Sequence, residues 1–414
     1  MAKKKKRRRR YKINWNVLVP DFIANRKRPR RRLRKPVIFG GLAIILLLLS
    51  IWLVPPQITN SKLKKLGYNK SEITEIKELK LTKTILNNEY YSEALAKALL
   101  DKTLNTDYLP LYLAVDGNRT LTDEDFLLYA RLEDKGYETD QIQNLFKNLE
   151  DFEIIPLLLF DYQYNENVYI DDCKANRDHN SQDSFSLTNS YVTYYEKAKD
   201  ISNAEDLTVL VTKNKLLPES YVPSDLTEID SNFSVDGLQL RKEAAESFTA
   251  FATNASSNGA RIYAVLGYRS YEDQQSAYNS LSLYNGEEYA LTHAAKAGAS
   301  EHQTGLSVNV AVVGQESEDF ETTTSGQWTL QNCSTYGFIE RYPVGKEYLT
   351  GFTAETDHFR YVGKQLAQEI TASKLTFDEF YAVYLDSWSD ESFKPEQSVL
   401  DNAYPVISDD KDQA

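Results

Sequence analysis

Residues 37–54, VIFGGLAIILLLLSIWLV, are 18 in a row without a charge, and no other stretch limits the chain so strongly. At helical rise such a run spans about 27 Å, close to the hydrocarbon thickness of a bilayer. Trp52 lies near one end, where an interfacial aromatic belongs, and Pro55 and Pro56 stop the helix. Residues 1–36 ahead of it hold 17 Lys or Arg and one Asp. A buried core helix has no need of such a flank, so a single membrane span is expected, with the basic end cytoplasmic and the remainder outside. A cleaved signal peptide is the competing reading. The segment PPQITNSK that follows lacks a small-x-small cleavage site, which favours an uncleaved anchor. The bases then act as a topology signal and a contact for anionic lipid. Their other reading, a phosphate-binding arm driven by counterion release, becomes the minor one, and no nucleic acid is expected as a partner.

The formal net charge of −12 hides this division, because the 378 residues after the arm carry 31 bases against 59 acids. Cys173 and Cys333 are the only cysteines. One disulfide between them and two unpaired, partly buried thiols are both open, and neither makes a disulfide framework or a structural zinc site.

Residues 57–160 read as a helical stalk or binding region, since apolar residues recur at three and four, as in Ile73, Ile76, Leu79 and Phe126, Leu127, Ala130. Gly67-Tyr68 with Ile73 and Ile76 resembles Gly136-Tyr137 with Ile142 and Leu145, a weak twofold repeat of a glycine and a tyrosine ahead of an amphipathic helix. Residues 161–206 turn polar and are read as a linker, and His179 within them as a solvated loop residue. From 207 to 388 short apolar runs mix with helical patterns. Strands are expected at 207–211, 262–266, 306–312 and 352–362, and helices at 238–252, 272–283 and within 364–385. With no regular βαβ period this is an α+β domain, a small mixed sheet with flanking helices, followed by an acidic polar tail at 389–414.

The chemistry rests on four histidines, of which His302 and His358 stand in the most suggestive places. His302 precedes a strand whose positions Leu306, Val308, Val310 and Val312 are apolar. Ser307, Asn309 and Ala311 must then face the other way, and a site can form on that small, polar side. His358 follows Glu355 by three residues, and histidine with a nearby carboxylate is the minimum needed for a metal-bound water and a general base.

Five blocks in order, LVTKNKLLPESYVPSDL at 210–226, GYRSYEDQ at 267–274, SEHQTGLSVNV at 300–310, QWTLQNCSTYGFIERYP at 327–343 and TGFTAETDHFRYVG at 350–363, resemble the VanY-type D-alanyl-D-alanine carboxypeptidases. The resemblance implies a LAS/hedgehog-like peptidase domain, one zinc ion, and a peptidoglycan stem peptide ending in D-alanine as substrate. Carried over residue by residue, it makes His302 and His358 zinc ligands and Glu355 the catalytic base. It places Arg269, Ser270, Gln274 and Ser300 at the substrate, with Arg269 suited to a carboxylate or an oxyanion. Three positions depart from the pattern. Asn309 stands where the family has its zinc-binding Asp, Ser307 replaces an alanine, and Thr356-Asp357 replace Pro-Trp. A neutral amide offers no charge to offset a dication, so weakened zinc binding is expected. Neither Glu301 nor Asp357 looks like a substitute ligand, because neighbours on a regular strand point to opposite faces. The reading is a membrane-anchored extracytoplasmic carboxypeptidase of a bacterial, Gram-positive type. The alternative is a catalytically inactive relative that binds wall peptide or a protein partner.

Overall fold

The computed structural model describes residues 56–117, 119–159, 166–176, 194–195, 198–314 and 317–385. The basic arm, the apolar run at 37–54, His179 and the tail at 389–414 lie outside the described residues. No helix among the described residues is long and apolar enough to cross a membrane.

The chain divides into two compact units, one ending at Glu89 and the other beginning at Tyr90. In the first, helices Pro56–Leu66, Lys70–Glu78 and Thr82–Asn88 bury Leu63, Tyr68, Ile73, Ile76 and Ile85. The first joint of this unit recurs in the second. Gly67 and Gly136 both take positive φ, and Tyr68 and Tyr137 donate their backbone N–H back to Leu63 and Leu132. Each closes one helix and leads within three residues to the next, Lys70–Glu78 and Thr139–Asn148. The resemblance between the two stretches is therefore a shared helix-stop geometry that needs glycine. The expected linker holds a helix, Glu166–Asn176, with Tyr169, Ile170 and Cys173 buried.

Within the second unit four strands form one antiparallel sheet. Two short pairs precede it: β1 (Lys199–Asp200) with β2 (Lys215–Leu216), and β3 (Leu226–Glu228) with β4 (Gln239–Arg241). The sheet runs β5-β6-β8-β7, with β5 Ile262–Leu266, β6 Ser307–Val312, β7 Phe338–Tyr342 and β8 Glu355–Tyr361. Its core face is the apolar side of β6, where Val308 and Val310 are fully buried. Helix Lys242–Ser257 covers that face with Ala244, Ala245, Phe248, Phe251, Ala252 and Ala255, a three-and-four spacing. Phe248 and Phe251 pack on Phe338 of β7, and Trp328 and Tyr336 stack on Phe251. The domain is α+β, as expected.

Two expected elements differ. Residues 239–241 are strand β4 rather than part of a helix, and 207–211 form no strand although Val209, Leu210 and Val211 are buried. Arg360 explains the second case, because its Nη2 donates to the carbonyls of Leu207 and Val209 at 3.0 and 2.9 Å. A guanidinium thus takes the place of a neighbouring strand for those acceptors. The two cysteines are buried and no disulfide joins them.

Glu340 on β7 stands opposite Phe359 of β8. Burial, and then the charge of Glu321, pushes its carboxyl from 4.5 up to about 7. An acid whose folded pKa lies above its unfolded one favours the fold at low pH. Its contribution declines as pH rises from about 4.5 through about 7. Glu340→Gln is therefore expected to leave thermal stability near pH 4 unchanged. At pH 8 it should add on the order of 2–3 kcal/mol, a rise of several degrees in melting temperature. Equal shifts at the two pH values would refute this.

Candidate metal and peptide site

The site lies on the face of the sheet away from the helix-covered core, and two irregularities in strand pairing open it. β5 carries one extra residue between Ala264 and Leu266, so Leu266 rather than Val265 faces Asn309. On the other side Glu340 pairs with Phe359 and Tyr342 with Glu355, so two steps along β7 match four along β8. The bulge breaks the in-out alternation of β8 just where Glu355, Thr356, Asp357 and His358 lie.

His302 comes from the 3-10 turn Glu301–Thr304, which Ser300 caps by accepting the His302 N–H on its Oγ. Gly305 closes that turn at φ +66, and a side chain there would crowd Leu226 and Arg241. His302 Nδ1 lies 2.8 Å from the carbonyl of Gly267. A carbonyl only accepts, so Nδ1 carries the proton and Nε2 the lone pair. Burial, aided by the nearby His358 and Arg269, pulls the imidazole down to about 3 and keeps it neutral.

His358 stands directly across from Asn309 in the β6-β8 pairing. Its Nδ1 meets Glu355 Oε2 at 3.1 Å, which again leaves the lone pair on Nε2. That Nε2 is buried without a hydrogen-bond partner, and so is Oδ1 of Asn309. The rings of His302 and His358 have centroids 4.9 Å apart. Two imidazoles this close are a pair of nitrogen donors of the kind a zinc ion takes. Two orphaned buried acceptors beside a neutral imidazole of fixed tautomer fit a divalent ion, though with no charge on the donors. Among the described residues no three His, Cys, Asp or Glu cluster as a ligand set.

Around these atoms lies a cavity of about 260 Å³, walled by Arg269, Gln274, Ser300, Asn309 and Glu355 besides the two histidines. Gln274, 3% exposed, accepts from Arg269 Nη1 at 3.1 Å and donates to the Ala295 carbonyl at 2.7 Å. It thereby holds the guanidinium at the cavity wall. Ser270 is not among the lining residues. Its hydroxyl caps helix Tyr271–Asn285 by accepting from the Asp273 N–H. The cavity also gains Tyr342, Phe352 and His293, which motif matching alone did not single out. Tyr342 packs edge-on against His358 at 4.9 Å. His293 lies only nine residues before His302, in LTHAAKAGASEH, and that closeness was the one available signal.

Glu301 is unavailable to a metal for a reason stronger than strand geometry. It is fully buried, with Oε1 2.7 Å from Arg341 Nε and 3.2 Å from Arg360 Nη1. Burial alone would raise its pKa, but the two guanidinium groups outweigh that and hold the carboxyl well below its ordinary value. Arg341 also binds Asp378. Ser307 Oγ donates to Glu301 Oε2 at 3.1 Å, so the serine adds one more donor to a buried carboxylate.

Residues 237–364 match the family model described as VanY, D-alanyl-D-alanine carboxypeptidase. The chain is 36% identical over 220 residues to YodJ of Bacillus subtilis (strain 168), which covers 51% of this chain and 80% of YodJ. It is 33% identical over 177 residues to the bifunctional D-Ala-D-Ala dipeptidase and D-Ala-D-Ala carboxypeptidase VanXYC of Enterococcus gallinarum, covering 42% of this chain and 92% of that protein. Among solved structures, a VanY D,D-pentapeptidase from a VanB-type resistance cassette in complex with Zn(II) aligns at 26% identity and a TM-score of 0.37, over 42% of this chain and 97% of that one. The chain belongs to the VanY family of D-alanyl-D-alanine carboxypeptidases.

Proposed function

We propose that the protein is a zinc-dependent carboxypeptidase that removes the terminal D-alanine from peptidoglycan stem peptides, anchored outside the cytoplasmic membrane by residues 37–54. The observation that carries this reading is the pair of buried, partnerless acceptors, His358 Nε2 and Asn309 Oδ1, facing a cavity shared with His302, Glu355 and Arg269. His302, His358 and Asn309 would hold the ion. Bound there, zinc would supply Lewis-acid polarisation of the scissile carbonyl and of a water. Glu355, half-exposed at the cavity, takes the proton from that water and returns it to the leaving amine. Arg269, fixed by Gln274, offers its fork to the peptide's terminal carboxylate or to the developing oxyanion. A second cleft of about 820 Å³ shares Phe352 with the cavity and is walled by Lys213 and Lys296, which gives the rest of the peptide room to extend.

The full chain should release D-alanine from a pentapeptide ending in D-Ala-D-Ala, and a chelator should abolish the release reversibly. Folded protein that neither binds zinc nor releases D-alanine would overturn the reading. The neutral Asn309 favours a second one, an inactive relative that binds wall peptide, and in that case peptide binding would be indifferent to chelator. Under the first reading Asn309→Asp should tighten zinc binding by about tenfold or more, since it restores an anionic donor between the histidines. Competition with a chromophoric chelator measures this, and an unchanged affinity would refute it.

A further inference from the structure

The family pattern has a carboxylate on β6 and an aromatic on β8; this chain has an amide on β6, Asn309, and a carboxylate on β8, Asp357. In a regular strand the two changes would be unrelated, because Asp357 would point away from its neighbour His358. The bulge in β8 removes that constraint. Thr356 Oγ1 donates to Glu321 Oε2 at 2.7 Å and pins the bulge on its far side. Asn309 Nδ2 stands 3.5 Å from Asp357 Oδ2 and donates to it. With the amide nitrogen drawn to Asp357, Oδ1 is turned the other way, where it is buried and partnerless. Asp357 itself is half-buried.

We propose that Asp357 is the positioning residue of the metal site, returning from β8 the negative charge that Asn309 lacks on β6. The inference rests on the zinc reading above. Its carboxylate fixes the Asn309 amide with Oδ1 toward the histidines and polarises that oxygen, so amide and carboxylate together act as one anionic donor. An ion-pairing role is closed to Glu301, whose charge is spent on Arg341 and Arg360. Glu355, the remaining acid at the cavity, is tied to His358 Nδ1. Carboxylates that orient metal ligands change metal affinity by about 10- to 100-fold when removed.

The test is a cycle of four full-length proteins: the parent, Asp357→Asn, Asn309→Asp, and the double variant Asn309→Asp with Asp357→Asn. Zinc affinity is read by chelator competition, and the melting temperature of each metal-free protein by circular dichroism. Asp357→Asn is isosteric and should weaken zinc binding about tenfold or more with little change in metal-free melting. The double variant, which moves the charge back to β6, should recover at least the parent affinity. A purely structural Asp357 would lower metal-free stability in both variants that lack it and would not be rescued. Parent-like zinc affinity in Asp357→Asn would overturn the inference and leave the zinc reading standing. A folded parent that binds no zinc would overturn both.

Discussion

Glu355→Gln is expected to lower kcat/KM for D-alanine release about 10³-fold while zinc affinity and melting temperature stay at parent values. The amide cannot take a proton from water, and general-base steps contribute about 10² to 10⁴ in rate. The change is otherwise mild by construction. A glutamine carbonyl can still accept from His358 Nδ1, the 3.1 Å contact that keeps the lone pair on Nε2. Glu355→Ala removes that acceptor as well and should weaken zinc binding in addition to the rate. The comparison of the two variants separates proton transfer from orientation. D-alanine release within tenfold of parent in Glu355→Gln would dismiss it as the base, and an inactive parent would leave only peptide binding to measure.

Glu301→Ala should destabilise the second unit by about 3–5 kcal/mol, enough to move its urea midpoint and melting temperature far outside experimental error. Arg341 and Arg360 are 1% and 0% exposed; Arg341 pairs with Glu301 and Asp378, and Arg360 pairs with Glu301. Without Glu301 the buried Arg341 keeps Asp378 and the buried Arg360 loses its carboxylate. The change also unseats the turn that carries His302, so zinc affinity should fall with stability. Glu301→Gln, which keeps an acceptor for Arg341 and Ser307, should lie between the two. A loss below about 1 kcal/mol for the alanine variant would mean that water enters the network, contrary to its burial. The acid limb follows the same logic. Glu301 has a depressed folded pKa, so its contribution is present above its ordinary range near 4.5 and fades as the pH falls below that.

Much of this arrangement was legible beforehand because it is local. The alternation of β6 placed Val308 and Val310 in the core and Asn309 on the open side, and the structure keeps both assignments. The motif around His302 survives as a capped turn closed by Gly305. Ser270 has a local role that the spacing also carries. A serine three residues before an acid, at a helix start, is a cap, and Ser270 accepts the Asp273 N–H in that way. The segment 207–211 has the composition of a strand but lends its carbonyls to Arg360, a residue about 150 positions away.

What the sequence determined by itself is whatever depends on neighbours within one or two turns: the uncharged run and its basic flank, the faces of β6, the helix periodicities, and the identities of His302, His358 and Glu355. What only the tertiary structure decided depends on strands meeting far along the chain. Arg341, Arg360, Glu301 and Asp378 are scattered along the chain, and β7, β8, the turn Glu301–Thr304 and the helix Phe377–Phe380 bring them together away from water. Asp357 is the clearest case. By its spacing it faces away from the site, and it meets Asn309 because a mismatch in β7-β8 pairing breaks the alternation over four residues. Pairing registers are set by the packing of whole strands, so no pattern within β8 alone could reveal that turn of the backbone.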